Sequence, residues 1–178
     1  EACLVGSEMC IRDRDDIAYG DDVAHGDDLA HGDDGSLVNQ IRANYIDPTA
    51  WSLFDDVRPG LNELTSRGWS HIILSNHVPE LEEIVASLGL DGHIDQLFNS
   101  ALIGYEKPHP RAFHTVKSHL EEDGPIWMIG DNIDADVNGA IDAGLNAILL
   151  RKSHPDASVC CQDIWQVCLL YTSPSPRD

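Results

Sequence analysis

Residues 126–136 read Ile-Trp-Met-Ile-Gly-Asp-Asn-Ile-Asp-Ala-Asp, and this turn limits the possible folds more than any other feature of the chain. An apolar run ends in Gly130, carboxylates follow, and a small-residue segment resumes from Val137 to Gly144. Buried strands deliver acidic groups to the carboxyl edge of a parallel sheet in this way, and open α/β folds place their chemistry at that edge. Clustered carboxylates there repel one another unless a hard cation such as Mg²⁺ neutralises them.

The surrounding sequence supplies the rest of such a sheet. Leu37, Ile41 and Tyr45 form a short helical stripe that Pro48 breaks. Pro59-Gly60 opens a helix through Leu61 and Leu64 that stops near Gly68. Ile72-Ile73-Leu74 reads as a buried strand ending in Ser75-Asn76. Leu81, Ile84, Val85 and Leu88 then keep helical spacing, with Gly89 as the stop. Leu97-Phe98 is a short strand, and Pro110 starts a helix carrying Phe113, Val116 and Leu120. A strand at 126–129 precedes a helix from Asp136 to Ala143, and a last strand runs from Ala147 to Leu150. Strands alternating with helices predict an α/β fold: a Rossmann-like parallel sheet with helices on both faces.

Composition narrows the function classes. With 178 residues, 42% hydrophobic and 24% charged, the chain suits one globular domain. No apolar run approaches the ~20 residues of a membrane helix. The start, Glu1-Ala2-Cys3, has no basic region ahead of an apolar stretch, so a cytoplasmic location is expected. A net charge of −20 argues against nucleic acid and anionic membranes as partners, since phosphate backbones need clustered Lys and Arg. Much of that charge lies in residues 15–34, a six-residue repeat (DDIAYG, DDVAHG, DDLAHG, DD). It lacks the nonapeptide pattern of calcium-binding β-helices and reads, with its His25 and His31, as a solvated low-complexity segment. Cys3, Cys10, Cys160, Cys161 and Cys168 lack metal-site spacing and read as free thiols. The stretches 3–14 (CLVGSEMCIRDR) and 168–178 (CLLYTSPSPRD) resemble translated sequencing-adapter read-through. Neither carries a clean strand or helix period, and Pro174 and Pro176 break the second.

Three elements fall at strand ends. Ser75-Asn76 offers a hydroxyl and an amide to a phosphate oxygen. Lys107, in Gly104-Tyr105-Glu106-Lys107-Pro108-His109-Pro110, sits in a loop stiffened by prolines and could balance phosphate charge and position a carboxylate. Asp131 and Asp136 belong to the acidic turn. Singly each is weak, since Ser-Asn is usually a cap and Gly-Asp a turn. Their order, each at a strand end, makes them specific.

With these residues in place, the region from about 55 to 150 resembles the haloacid dehalogenase-like hydrolases, a family of aspartyl-phosphate-forming phosphatases. FDDVRPG (54–60) followed by ILSN (73–76) is similar to its second motif and the approach to it, GYEKPHPRAF (104–113) to the third, and GDNIDADVNGA (130–140) to the fourth. The resemblance implies an aspartate nucleophile after the first strand, a second aspartate as acid/base, and Mg²⁺ bridging nucleophile, phosphate and the acid at Asp131. It also implies Ser75 and Asn76 on the phosphate, catalytic Lys107 supporting phosphate and nucleophile, and Asp131 with Asp136 as metal ligands. The substrate class it implies is a small phosphorylated metabolite. A metal-independent 2-haloacid dehalogenase is a second reading, although that branch carries a Ser-Ser-Asn-type turn where this chain has Gly130-Asp131-Asn132. A non-catalytic cation- or phosphate-binding module is a third.

The first motif is where the chain departs from the family. Asp13-Arg14-Asp15-Asp16-Ile17 is the nearest match, but Ser7 to Arg12 before it is no buried strand. The expected division is 1–14 foreign, 15–36 the acidic repeat, 37–58 a helical-cap remnant, 59–152 the α/β core and 153–178 a tail. The sheet is expected to lack its central first strand, leaving unpaired backbone beside the strands ending at Ser75 and Asp131. Such a chain would fold poorly and be inactive.

Overall fold

In a computed structural model the described residues are 2–5, 11–13, 43, 46–120 and 124–170. The acidic repeat, most of the stripe before Pro48 and the last eight residues lie outside them. In chain order, the first strands are β1 (Ala2–Val5), β2 (Ile11–Asp13) and β3 (Trp51–Leu53). Helix α1 (Val57–Ser66), strand β4 (Ser70–Ser75), helix α2 (Leu81–Ser87) and strand β5 (Gln96–Asn99) follow. The second half holds α3 (Ser100–Ile103), α4 (Pro110–Lys117), β6 (Ile126–Gly130), a π-helix (Ile133–Asn138), α5 (Gly139–Asp142), β7 (Asn146–Leu150), β8 (Cys160–Cys161) and α6 (Ile164–Leu170). Six strands form one parallel sheet in the order β5-β4-β1-β6-β7-β8, and β2 pairs with β3 antiparallel.

The alternation of the strands explains the layers. Ile72, Leu74 and Met128 point to one face, with Phe113 and Val116 of α4 and Ala140 of α5. Ile73, Ile129 and Ile148 point to the other, with Leu61 and Leu64 of α1 and Leu81 and Ile84 of α2. Successive strand residues face opposite sides, so a strand buried on both faces needs a continuous apolar run, as Ile72–Leu74 of β4 and Ile126–Ile129 of β6 supply. Gly68 ends the chain's exit from α1 with φ +88, a conformation that glycine adopts without a Cβ penalty.

Two expectations are corrected. The sheet has no central gap: Ala2–Val5 pairs in register with Ser70–Ile73 on one side and with Ile126–Ile129 on the other. Cys3, Leu4 and Val5 fall in the stretch that resembles adapter read-through, which is why this strand escapes the reading by pattern. The structural reason for expecting poor folding is thereby absent. The segment 153–170 is not a bare tail either. Cys161, Ile164, Val167 and Cys168 are buried in the same core as α1. The i, i+3, i+4 spacing of Ile164, Val167 and Cys168 is a helical stripe that was visible in the sequence. Cys160, Cys161 and Cys168 are free thiols, as expected. Asp13 lies in β2, its backbone opposite Trp51 in the two-stranded ribbon, outside the six-stranded sheet. Among the described residues no helix is long and apolar enough to cross a membrane.

Asp56 fastens the last helix to the first. One carboxylate oxygen accepts from Arg151 Nη2 at 2.7 Å and the other from the Ile164 N–H at 2.8 Å, capping α6 from a distance. Arg151 adopts φ +64 and lays its guanidinium 3.8 Å over the Phe54 ring. The helices approach so closely that a Cβ on Gly60 would stand 2.3 Å from Ile164 Cγ2. Burial pushes the Asp56 carboxyl up, but the Arg151 and Ile164 donors outweigh it and hold the group below its ordinary value. A carboxyl lowered by folding stabilises the native state above its unfolded value, and that share is lost as pH falls through the folded value. Asp56→Asn is therefore expected to cost about 1.5–3 kcal/mol at neutral pH, the range for hydrogen bonds to charged groups. The gap to wild type should shrink below about pH 4 in urea melts.

Candidate active site

The site is assembled by loops at the carboxyl edge of the sheet. β4 ends on Ser75, which is buried at 2% exposure, and Asn76 follows. The Asn76 side chain reaches across to the loop before α4. Its Nδ2 donates to the Lys107 carbonyl at 2.8 Å, and its Oδ1 accepts from the Lys107 N–H at 2.7 Å. A side-chain amide thus closes a two-bond ladder with one residue's backbone and fixes that loop against the end of β4. α4 starts on Pro110, where a missing N–H costs nothing, with His109 Nδ1 accepting from the Arg111 N–H at 3.1 Å.

Lys107 then points inward. Its Nζ donates to Asp136 Oδ1 at 2.6 Å, with the side chains only 6% and 4% exposed. Asp136 belongs to the π-helix after β6, and its Oδ2 accepts from the Asn132 N–H at 3.1 Å. Asn132 caps that helix through Oδ1, which accepts from Asp134 N at 3.0 Å and Ala135 N at 2.9 Å. The helix thus begins at Ile133, three residues before the expected Asp136, and its first turns are wider than α. A π-turn re-aims side chains, a feature frequent at functional sites. The Asp136 carboxylate lies directly against Gly130, where a Cβ would stand 2.1 Å from Oδ2.

Asp131, one residue beyond β6, pairs with Lys152 Nζ at 3.0 Å. Lys152 is 59% exposed, so the pair is largely screened by solvent. It follows the end of β7, and a basic residue just after the last strand of the pattern (Arg151-Lys152) was the signal available for it. A cleft of about 680 Å³ opens beside the Lys107 loop, bordered by Asn76, His77, Ser100 and Glu106. His77 packs its ring 5.7 Å from that of Trp51 in β3. Burial lowers its pKa, against the raising effects of the Val78 backbone and Glu80, and so favours the neutral imidazole.

The predicted residues therefore share one edge, and two of them are already held by neighbours. Asn76 has both amide heavy atoms bonded to the Lys107 backbone, with one Nδ2 proton left over. Asp136 accepts one bond at each oxygen, from Lys107 and from the Asn132 N–H, and each oxygen keeps a further lone pair. Pattern reads residue types at strand ends; it does not show which neighbour claims each atom. Among the described residues no group of three or more His, Cys, Asp or Glu side chains is arranged to hold a metal ion. Magnesium takes oxygen ligands in octahedral array and relies on carboxylates, and of the two expected ligands, Asp131 and Asp136, Asp131 is the one that the Lys107 ammonium does not hold. The donor set of the described residues does not by itself fit Mg²⁺.

A parallel sheet with helices on both faces, carrying a serine, a buried lysine–aspartate pair and an acidic turn on its carboxyl edge, defines a Rossmann-like α/β protein with a polar site at that edge. The family model described as haloacid dehalogenase-like hydrolase matches residues 4–144, and the chain belongs to that family. It is 29% identical over 121 residues to haloacid dehalogenase-like hydrolase domain-containing protein 3 of Bos taurus, covering 67% of this chain and 48% of that protein. It is 33% identical over 117 residues to a phosphoserine phosphatase of Thermus thermophilus, covering 61% and 46%. The structure superposes on a HAD phosphatase from Thermococcus onnurineus with a TM-score of 0.65 at 20% identity, covering 75% of this chain and 63% of that one. The chain spans about half the length of the curated relatives it matches.

Proposed function

We propose that the carboxyl edge binds the phosphoryl group of a small phosphorylated metabolite, as in the phosphatases of this family, and that the chain as given binds it without hydrolysing it. The observation that carries the reading is the buried Lys107–Asp136 pair beside the end of β4. An ammonium has three protons. Asp136 takes one and fixes the direction of the others, so Lys107 can meet an anion without a search through rotamers. The Ser75 hydroxyl supplies a neutral donor to the same anion, and Asn76 acts as a positioning residue for the Lys107 loop. Asp131, where the dehalogenase branch carries no acid, favours phosphoryl over haloacid substrates. Of the two expected ligands of the family's magnesium, it is the one that the Lys107 ammonium does not hold.

Hydrolysis through an aspartyl-phosphate needs an aspartate at the end of the central strand. After Val5 the sequence runs Gly6, Ser7, Glu8, Met9, Cys10, Ile11 and Arg12, with no aspartate before Asp13. Asp13 itself is placed in the β2–β3 ribbon. The expected result is saturable binding of inorganic phosphate with no turnover of p-nitrophenyl phosphate in the presence of Mg²⁺. Turnover that vanishes in Asp131→Ala would show that another group serves as nucleophile. Absence of phosphate binding would remove the site itself.

A further inference from the structure

Cationic side chains are scarce in this chain, 11 Lys and Arg against 31 Asp and Glu, and most of those described are already claimed. Arg67, Lys107, Arg151 and Lys152 each pair with a carboxylate. Arg58 donates to the Leu88 and Gly89 carbonyls. Arg111 and Lys117 are the exceptions, since neither forms an ion pair among the described residues. Both border the same groove.

The groove lies beside α4 and holds about 340 Å³, bordered by Pro110, Arg111, His114, Lys117 and, at the end of α5, Ala143. None of these residues is acidic. Three-residue spacing makes Arg111, His114 and Lys117 successive neighbours on the helix surface, and all three are exposed. Ala112, Phe113 and Val116 take the side of α4 packed on the sheet, which leaves the outer side to the basic row. The Lys107 site is separate, because Lys107 points inward to Asp136 while Arg111 is exposed.

Both ends of the row are held by neutral partners. Arg111 lies 5.2 Å over the centre of the Tyr105 ring and gives an Nη1 proton to its hydroxyl. A guanidinium has five donors, so Nε and Nη2 remain for a ligand. Lys117 Nζ reaches across the groove to the Ala143 carbonyl at 3.4 Å, a long bond that uses one of three protons. Donors fixed in this way lose little freedom when an anion arrives. Arg111 and Lys117 stand about 9 Å apart along the helix axis, at about 1.5 Å per residue. That spacing suits a ligand with two charged groups better than a single ion.

We propose that this groove is a second anion site, binding a small metabolite with two phosphoryl groups, one on Arg111 and one on Lys117, with His114 between them. Arginine forks two parallel N–H bonds onto a phosphate, and lysine meets one as a point charge. The volume falls in the range of about 300–1,000 Å³ usual for small-molecule sites, too small for an extended acidic peptide. Repulsion from the chain's net charge of −20 is largely screened beyond about 8 Å at physiological salt, so the local basic row decides.

The test is a titration of the ¹⁵N-labelled full chain with inorganic diphosphate, run beside inorganic phosphate and sodium chloride at matched ionic strength. The Arg111 Nε–H and the backbone amides of His114 and Lys117 are expected to shift along one saturation curve with diphosphate. Inorganic phosphate should act at concentrations about tenfold higher, and chloride should leave these signals in place. Lys117→Gln, at an exposed position, should keep the wild-type fold and weaken the diphosphate response of Arg111 about tenfold, the scale of one hydrogen bond between charged groups. An Arg111 signal unmoved by saturating diphosphate, an equal response to chloride, the same midpoint for phosphate, or an unchanged response in Lys117→Gln would each overturn the proposal. Diphosphate shifts confined to Ser75, Lys107 and Asp131 would overturn it too, while leaving the reading of the carboxyl edge intact.

Discussion

Lys107→Met is expected to lower the stability of the fold by about 3–5 kcal/mol, the cost of leaving one charge of a buried pair alone. Asp136 is 4% exposed at its side chain and would have to stay charged without its ammonium or take up a proton. The remaining donor at its carboxylate, the Asn132 N–H at 3.1 Å, is neutral and cannot replace the lost charge. A domain holds about 5–15 kcal/mol in total, so the variant should unfold at a markedly lower urea concentration. Lys107→Met combined with Asp136→Leu should recover most of that loss, because removing both charges leaves nothing buried and unpaired. Should the double variant be no more stable than Lys107→Met alone, the pair is not the source of the loss. Neither variant should retain phosphate binding.

Gly130→Ala is the second large effect. A Cβ there would stand 2.1 Å from Asp136 Oδ2, 2.3 Å from Cγ and 2.6 Å from Cβ. The obstacle is the root of a side chain clamped at both oxygens, not the free end of a flexible one. Gly130 cannot yield either, since it closes β6 opposite Leu149 of β7. Either the π-helix moves or the Lys107–Asp136 bond breaks. Overpacking costs about 1–3 kcal/mol before any bond is lost, and the pair's rupture adds to it. Urea melts and the phosphate titration should both report the damage, while a variant with wild-type stability and phosphate binding would mean that Asp136 is not packed against the strand end.

These two residues also show how far the sequence could be read. Gly130 and Asp136 announce themselves by type and place: an apolar strand, a glycine, then acids. The strands at 70–75, 126–130 and 146–150 and the helices on either side were legible for the same reason, since each is long enough to show a period. Ala2–Val5 was not, because most of it falls in the adapter-like stretch, and Cys160–Cys161 was not, because two residues carry no alternation. The pattern found the set at the carboxyl edge but not the contacts within it. That Asn76 holds the Lys107 backbone, and that Asp136 faces Lys107, depends on which loop approaches which, a tertiary fact with no local signature. Lys152 reaches Asp131 from a different strand end, so its role is of the same kind.

The central claim is that neighbouring strand ends gather Ser75, Lys107 and Asp131 round one anion. Titration of the ¹⁵N-labelled chain with inorganic phosphate, followed by amide shifts, tests it most directly. The backbone amides of these three residues should move together along a single saturation curve, with His71 and His93 at the far edge unmoved. Shifts scattered over the surface, or three curves with different midpoints, would contradict the account.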